Sequence, residues 1–237
     1  MLKRWWSLLS LEFLHQWRSG FVLVGGFAVL LWGVLFTTLS MLPPKWFRLL
    51  VAGFVTINGL VTTFYFVAAL VLLERQQGIL GGMAVTPVRP SDYLMSKTTT
   101  LTLLALVETV LITIWAVGTA VHWGWLLLGL TGVGMIYTLV GLLLVSRFRS
   151  LTSFLLPSAG VVIILLLPLL EMFSLCSPHW FWWNPVQYPL LLLKAAFFQE
   201  ARLASHLVLG VLGTLLFAAF LWTRAARAYL RMARSSL

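Results

Sequence analysis

Long stretches of this chain carry no charge, and that limits its fold more than any other feature. Ser19 to Pro44 and Leu49 to Leu73 contain no Asp, Glu, Lys or Arg. Thr98 to Ser146 contains only Glu108, Ser150 to Leu193 only Glu171, and Leu203 to Thr223 no charge at all. A helix needs about 20 apolar residues to cross a bilayer, where every backbone polar group must be paired within the segment or by its neighbours. The alternating stretches of about 10 residues that build a membrane barrel are absent. The sequence therefore predicts an all-α integral membrane protein, one domain over 1–237, with spans near 20–42, 50–73, 98–121, 125–145, 153–175 and 204–223.

The basic residues give the orientation. Placing both termini in the cytoplasm puts 12 Lys and Arg side chains inside and leaves Lys45, Arg48, Lys194 and Arg202 outside, as the positive-inside rule requires. The same placement accounts for most of the net charge of +10, so no nucleic-acid partner is expected and the cell membrane is the expected location. The first span is too long for a signal h-region and lacks a small-residue cleavage site, so it is read as retained. Cys176, the single cysteine, has no internal partner and matches no metal spacing.

The first 18 residues are apolar but interrupted by charge. At 100° per residue Leu2, Trp5, Trp6, Leu9, Phe13 and Trp17 share one side, with Arg4, Ser7, His15 and Arg18 opposite. That is the pattern of an amphipathic helix lying in the headgroup layer. Pro43 and Pro44 end span 1. Gly129, Gly132, Gly134 and Gly141 in span 4 are read as close-packing positions, and Pro157 and Pro168 are expected to bracket and kink span 5. Between spans 5 and 6, residues 176–203 hold the aromatic run "HWFWWNP" and the apolar run "LLLLKAAFF". The second run is too short to span, so short outer helices, re-entrant or surface-lying, are expected there. Arg224, Arg227, Arg231 and Arg234 recur at helical spacing and form a basic stripe suited to anionic headgroups.

Chemistry-bearing motifs are missing. There is no GxxxxGK[ST] phosphate loop, HExxH or GxSxG, and the four histidines fall in different segments. No catalytic, cofactor or metal residue is assigned. Polar or amphipathic groups inside apolar runs are the candidates for a substrate pathway: Asn58 and Tyr65 in span 2, Glu108 in span 3 and Glu171 in span 5. A carboxylate near the midplane costs roughly 2.5–3.5 kcal/mol on insertion scales and usually faces a cavity or partner. A structural role, with Glu108 hydrogen-bonded to threonines of a neighbouring span, is the competing reading.

One polar segment remains, 74–97, "ERQQGILGGMAVTPVRPSDYLMSK". It holds five of the 22 charged residues, with Pro87 and Pro90 stiffening its return to the membrane. The order E-R-x-x-G-x-L followed by T-P-x-x-P-x-x-Y-x-x-x-K resembles the signature of ABC-2 type transporter permeases. The matching residues are Glu74, Arg75, Gly78, Leu80, Thr86, Pro87, Pro90, Tyr93 and Lys97, with Arg89 inside the same run. Within that family "VTPVRPSDYLMSK" and "NPVQYPLLLLKAAF" look most like the fluoroquinolone-exporter type. Gly81 and Gly82 depart from the family pattern, in which a polar residue is common after the leucine.

The resemblance implies a permease that lies in the lipid bilayer and binds no cofactor. It further implies that residues 75–85 form a coupling helix docked on a separate cytoplasmic ABC ATPase, present in two copies. A second permease chain, identical or related, and a hydrophobic or amphipathic small-molecule substrate complete the implied assembly. Two other readings stay open at this level. One is a haem or cytochrome-biogenesis export permease, whose loop usually lacks the T-P-x-x-P-x-x-Y order. The other is a non-transporting membrane assembly or immunity protein. A membrane-embedded enzyme has no motif in its favour.

Overall fold

Helix boundaries in the computed structural model, which describes residues 2–79, 90–198 and 203–234, fall where the sequence supplies a breaker or a cap. Helix α1 (Leu2–Arg18) turns into α2 (Phe21–Leu39) at Gly20, whose φ of 79° lies in the left-handed region open to glycine. Pro44 occupies the first turn of α3 (Pro44–Leu60), where a missing N–H breaks no helical bond. α3 passes through a widened π turn (Val61–Tyr65) into α4 (Phe66–Gln76), giving one rod of 33 residues. The rod stops at Gly78, φ 72°, with the Gln77 and Gly78 N–H groups bonded back to the Leu73 and Arg75 carbonyls.

Next come α5 (Pro90–Val117), α6 (Trp123–Val145) and α7 (Leu151–Leu166), the last two capped by the side chains of His122 and Ser150. Pro157 lies inside α7, and Pro168 follows its end and starts the single turn α8 (Leu169–Met172). A 3-10 turn (Pro178–Phe181), α9 (Gln187–Phe197) and α10 (Ala204–Arg234) complete the chain. Among the described residues, six helices are long and apolar enough to cross a membrane: Phe21–Leu39, Pro44–Gln76, Ser91–Val117, Trp123–Val145, Leu151–Met172 and Ala204–Met232. The second and sixth outrun the limits expected from hydropathy, and the third starts earlier than expected but stops at Val117, before Gly118 with its φ of 63°. Apolarity marks where lipid ends, whereas the helical backbone continues into polar flanks that form helix equally well.

The α3–α4 rod and α6 are the most buried spans, whereas only a minor share of the apolar windows of α2, α7 and α10 is buried. α6 is central, touching α3, α4, α5, α9 and α10. Its glycines make this possible. A Cβ added at Gly132 would lie 2.7 Å from Thr214 and 2.9 Å from Pro189, and one at Gly141 would lie 2.9 Å from the Phe64 carbonyl oxygen. α9 is neither exposed nor peripheral. It packs against α6 and α10 and is buried along most of its length. Asn184, fully buried before it, donates to the Ile164 carbonyl at 2.7 Å, beside the longer bond from the Leu167 N–H, and so ties this segment to the end of α7.

Candidate functional site

The end of α4, the start of α5 and the second half of α1 meet through charged side chains. Lys97, on α5, is 0% exposed; its Nζ donates to Glu12 Oε2 of α1 at 2.7 Å and to Glu74 Oε1 of α4. The Tyr93 hydroxyl, one turn before Lys97, donates to Glu74 Oε2 at 2.8 Å. Tyr93 in turn stacks on Tyr229 of α10, with ring centroids 4.5 Å apart. One turn beyond Lys97, Thr100 Oγ1 accepts from Gln16 Nε2 at 2.8 Å. Four helices are therefore pinned to one ammonium group and its surroundings. Burial lifts the Glu12 carboxyl above the ordinary carboxylate range, against the pull of Lys97.

The sequence-derived loop residues fall into distinct places. Glu74, Tyr93 and Lys97 converge as described. Arg75 points elsewhere and donates to the Phe148 carbonyl, joining the end of α4 to the turn between α6 and α7. Gly78 is exposed and ends the rod, and Pro90 begins α5. Leu80, Thr86, Pro87 and Arg89 lie outside the described residues. Glu12, Gln16, Thr100 and Tyr229 were not anticipated. The available signal was the i, i+4 pair Glu12 and Gln16 on a helix judged only by its tryptophan face, since that spacing puts both on one side. Phe13 and Trp17 are indeed exposed, while Glu12 and Gln16 face the protein.

Of the pathway candidates, Asn58 and Glu108 are brought together. Glu108, 2% exposed, accepts from Asn58 Nδ2 at 3.0 Å and from Thr62 Oγ1 at 2.6 Å, both on Oε2. Asn58 Oδ1 accepts from Trp32 Nε1 of α2 at 3.2 Å. Glu108 Oε1 has no partner and sits over Gly25, where an added Cβ would lie only 1.9 Å away. Thr62 belongs to the π turn, so this carboxyl group ties α2, the α3–α4 rod and α5 together. Tyr65 is half-buried and packs on Phe64 and Phe154, apart from this network.

Glu171 lies at the other end of the bundle. It pairs with Lys194 of α9 at 2.7 Å and accepts a long bond, 3.5 Å, from Gln187. Both partners of the ion pair line a cavity of about 690 Å³. Among the described residues no group of three or more His, Cys, Asp or Glu side chains is placed to hold a metal ion.

Residues 3–234 match the family described as the Fluoroquinolones export permease protein family. Two fluoroquinolones export permease proteins of Mycobacterium tuberculosis, from strains CDC 1551 / Oshkosh and ATCC 25618 / H37Rv, are each 31% identical to the chain over 198 residues. The match covers 81% of this chain and 80% of each relative. No solved structure matches.

Proposed function

This chain belongs to the fluoroquinolones export permease protein family, and from that premise we propose that it is the transmembrane subunit of an ATP-driven drug exporter. Its substrate is an amphipathic small molecule of the fluoroquinolone kind, moved outward across the cell membrane. A separate ABC ATPase, in two copies, docks on the 75–85 segment and supplies the energy, and a second permease chain completes the pathway. Both termini lie in the cytoplasm, the arrangement favoured by the distribution of Lys and Arg.

The observation that carries this reading is the buried Glu12–Lys97–Glu74–Tyr93 cluster. Glu74 stands near the end of α4 and Tyr93 and Lys97 near the start of α5, the two helices that flank the 78–89 segment in the sequence. Fixing the flanking helix ends to each other, to α1 and to α10 makes those ends one stiff unit. A push delivered by a partner is then transmitted to several helices instead of being absorbed by a loop. Glu74, Tyr93 and Lys97 act here as positioning residues, because their burial keeps them from touching an ATPase directly. The surface for the ATPase is left to the segment that follows, before which Gln76, Gln77 and Gly78 are exposed.

Coexpression with the neighbouring ATPase tests this. Copurification of the two proteins and ATP-dependent uptake of a fluoroquinolone into inside-out vesicles are expected. Gly78→Val forces a β-branched residue into the left-handed region, so it should redirect the segment and reduce both readouts at unchanged membrane level. A permease that never associates with the ATPase, or a Gly78→Val protein that exports normally, refutes the proposal.

A further inference from the structure

The cavity at the end of the bundle away from the termini is untouched by the coupling arrangement. Its volume of about 690 Å³ is that of a small-molecule site, for which roughly 300–1,000 Å³ is usual. Its walls come from the start of α3, from α8 and the 3-10 turn, and from α9 and α10, all within one chain. Two kinds of surface meet in it. Trp46, Phe173, Trp182 and Phe198 supply flat apolar faces. Lys45, Lys194, His179 and His206 supply cationic or hydrogen-bonding groups against one carboxylate among the described residues, Glu171.

That carboxylate is already engaged. Glu171 is 5% exposed and paired with Lys194, whereas 29% of the Lys194 side chain stays open. An ammonium group has three N–H donors, and this pair uses one of them. Lys45 is exposed at the start of α3, and among the described residues no carboxylate pairs with it. Among the described residues, the cavity thus has cation donors to spare beside aromatic walls.

We propose that this cavity is an exit-side binding site for a molecule with a planar aromatic body and a carboxylate. The rings lie against the aromatic walls and the carboxylate faces Lys194 and Lys45. Glu171 is a positioning residue: it holds Lys194 at the wall and balances its charge while the site is empty. The assignment of the cavity to the exit side rests on the exporter reading above; binding itself does not depend on it.

Binding is measured with the purified full chain in phosphatidylcholine nanodiscs without nucleotide, using the fluorescence of norfloxacin and of its methyl ester as probes. The free acid should bind saturably and about ten-fold more tightly than the ester, the loss expected when a charge-assisted contact is removed. Lys45→Gln, at an exposed position that leaves the core intact, should shrink that difference between acid and ester, with Lys194 retaining the remainder. Leu209→Trp should fill the cavity and abolish binding of both, with an unchanged elution profile showing that the chain is folded. Equal affinity for acid and ester, or wild-type affinity in both variants, overturns the proposal. So does saturable binding of phosphatidylglycerol with no norfloxacin binding in its absence, which would make this a lipid site. Failure of the ATPase to copurify would sink the exporter reading and leave these binding results standing.

Discussion

Lys97 is the residue on which the terminal end of the molecule depends. A buried ion pair is a poor source of net stability, yet removing one partner leaves an uncompensated charge and costs about 3–5 kcal/mol. Lys97→Met strands two carboxylates at once, so it should sharply lower the thermal inactivation temperature of the detergent-solubilised protein. Glu12→Gln should be far milder, since Glu74 still balances Lys97 and the buried site becomes neutral overall. A pair of melting curves distinguishes them, and equal losses would show that the charges do not share one cluster. Glu108 poses a different question. Its Oε2 already receives two donors and its Oε1 none. Glu108→Gln keeps an acceptor of the same shape for Asn58 and Thr62, so membrane insertion and yield should stay near wild type. Vesicle transport is expected to fall several-fold more than yield, and unchanged transport would make the carboxyl group purely structural. The sequence identified Glu108 as costly and Lys97 as part of a motif. It could not pair Lys97 with Glu12 or Glu108 with Gly25, and it foresaw threonine partners for Glu108 without singling out Thr62, because those contacts are set by which helices become neighbours.

At the scale of helices, hydropathy made the six spans legible because the bilayer demands about 20 apolar residues whatever the tertiary structure. The π turn at Val61–Tyr65 was not legible, because "VTTFY" is as apolar as its flanks and nothing in composition marks a change of hydrogen-bond register. The glycines of α6 were legible as packing positions but not as to their partners. Gly141 and Gly160 show how much that matters. A methyl group at Gly141 would collide with the Phe64 backbone in the π turn, whereas at Gly160 nothing lies within 4 Å. Gly141→Ala should therefore destabilise by about 1–3 kcal/mol, the usual cost of overpacking. Gly160→Ala should stabilise, by up to about 1 kcal/mol of helix propensity. Opposite shifts in melting temperature are the expected outcome, and shifts of the same sign would mean that α6 does not approach the rod this closely.

At the scale of the whole molecule, the order of the elements separates two ends. α1, the end of α4, the start of α5 and the end of α10 converge on Lys97, and Arg75 brings the α6–α7 turn to the same end. α7 and α8 then carry the chain across to the opposite end, where the segment between α8 and α9 holds Cys176 and the exposed Trp180, Trp182 and Trp183. Tryptophans at that level suit a headgroup belt, and the arginines at the far end of α10 suit the cytoplasmic face. Cys176 is exposed and is the only cysteine in the sequence, so it reports orientation without any other thiol having to be removed. A membrane-impermeant maleimide should label intact cells at Cys176. A second cysteine appended after Leu237 in a Cys176→Ser background should be labelled only after permeabilisation. The reverse pattern would invert the molecule and place the 690 Å³ cavity on the cytoplasmic side. In that case the cavity would be an entry site, and the ATPase could not reach the segment between α4 and α5.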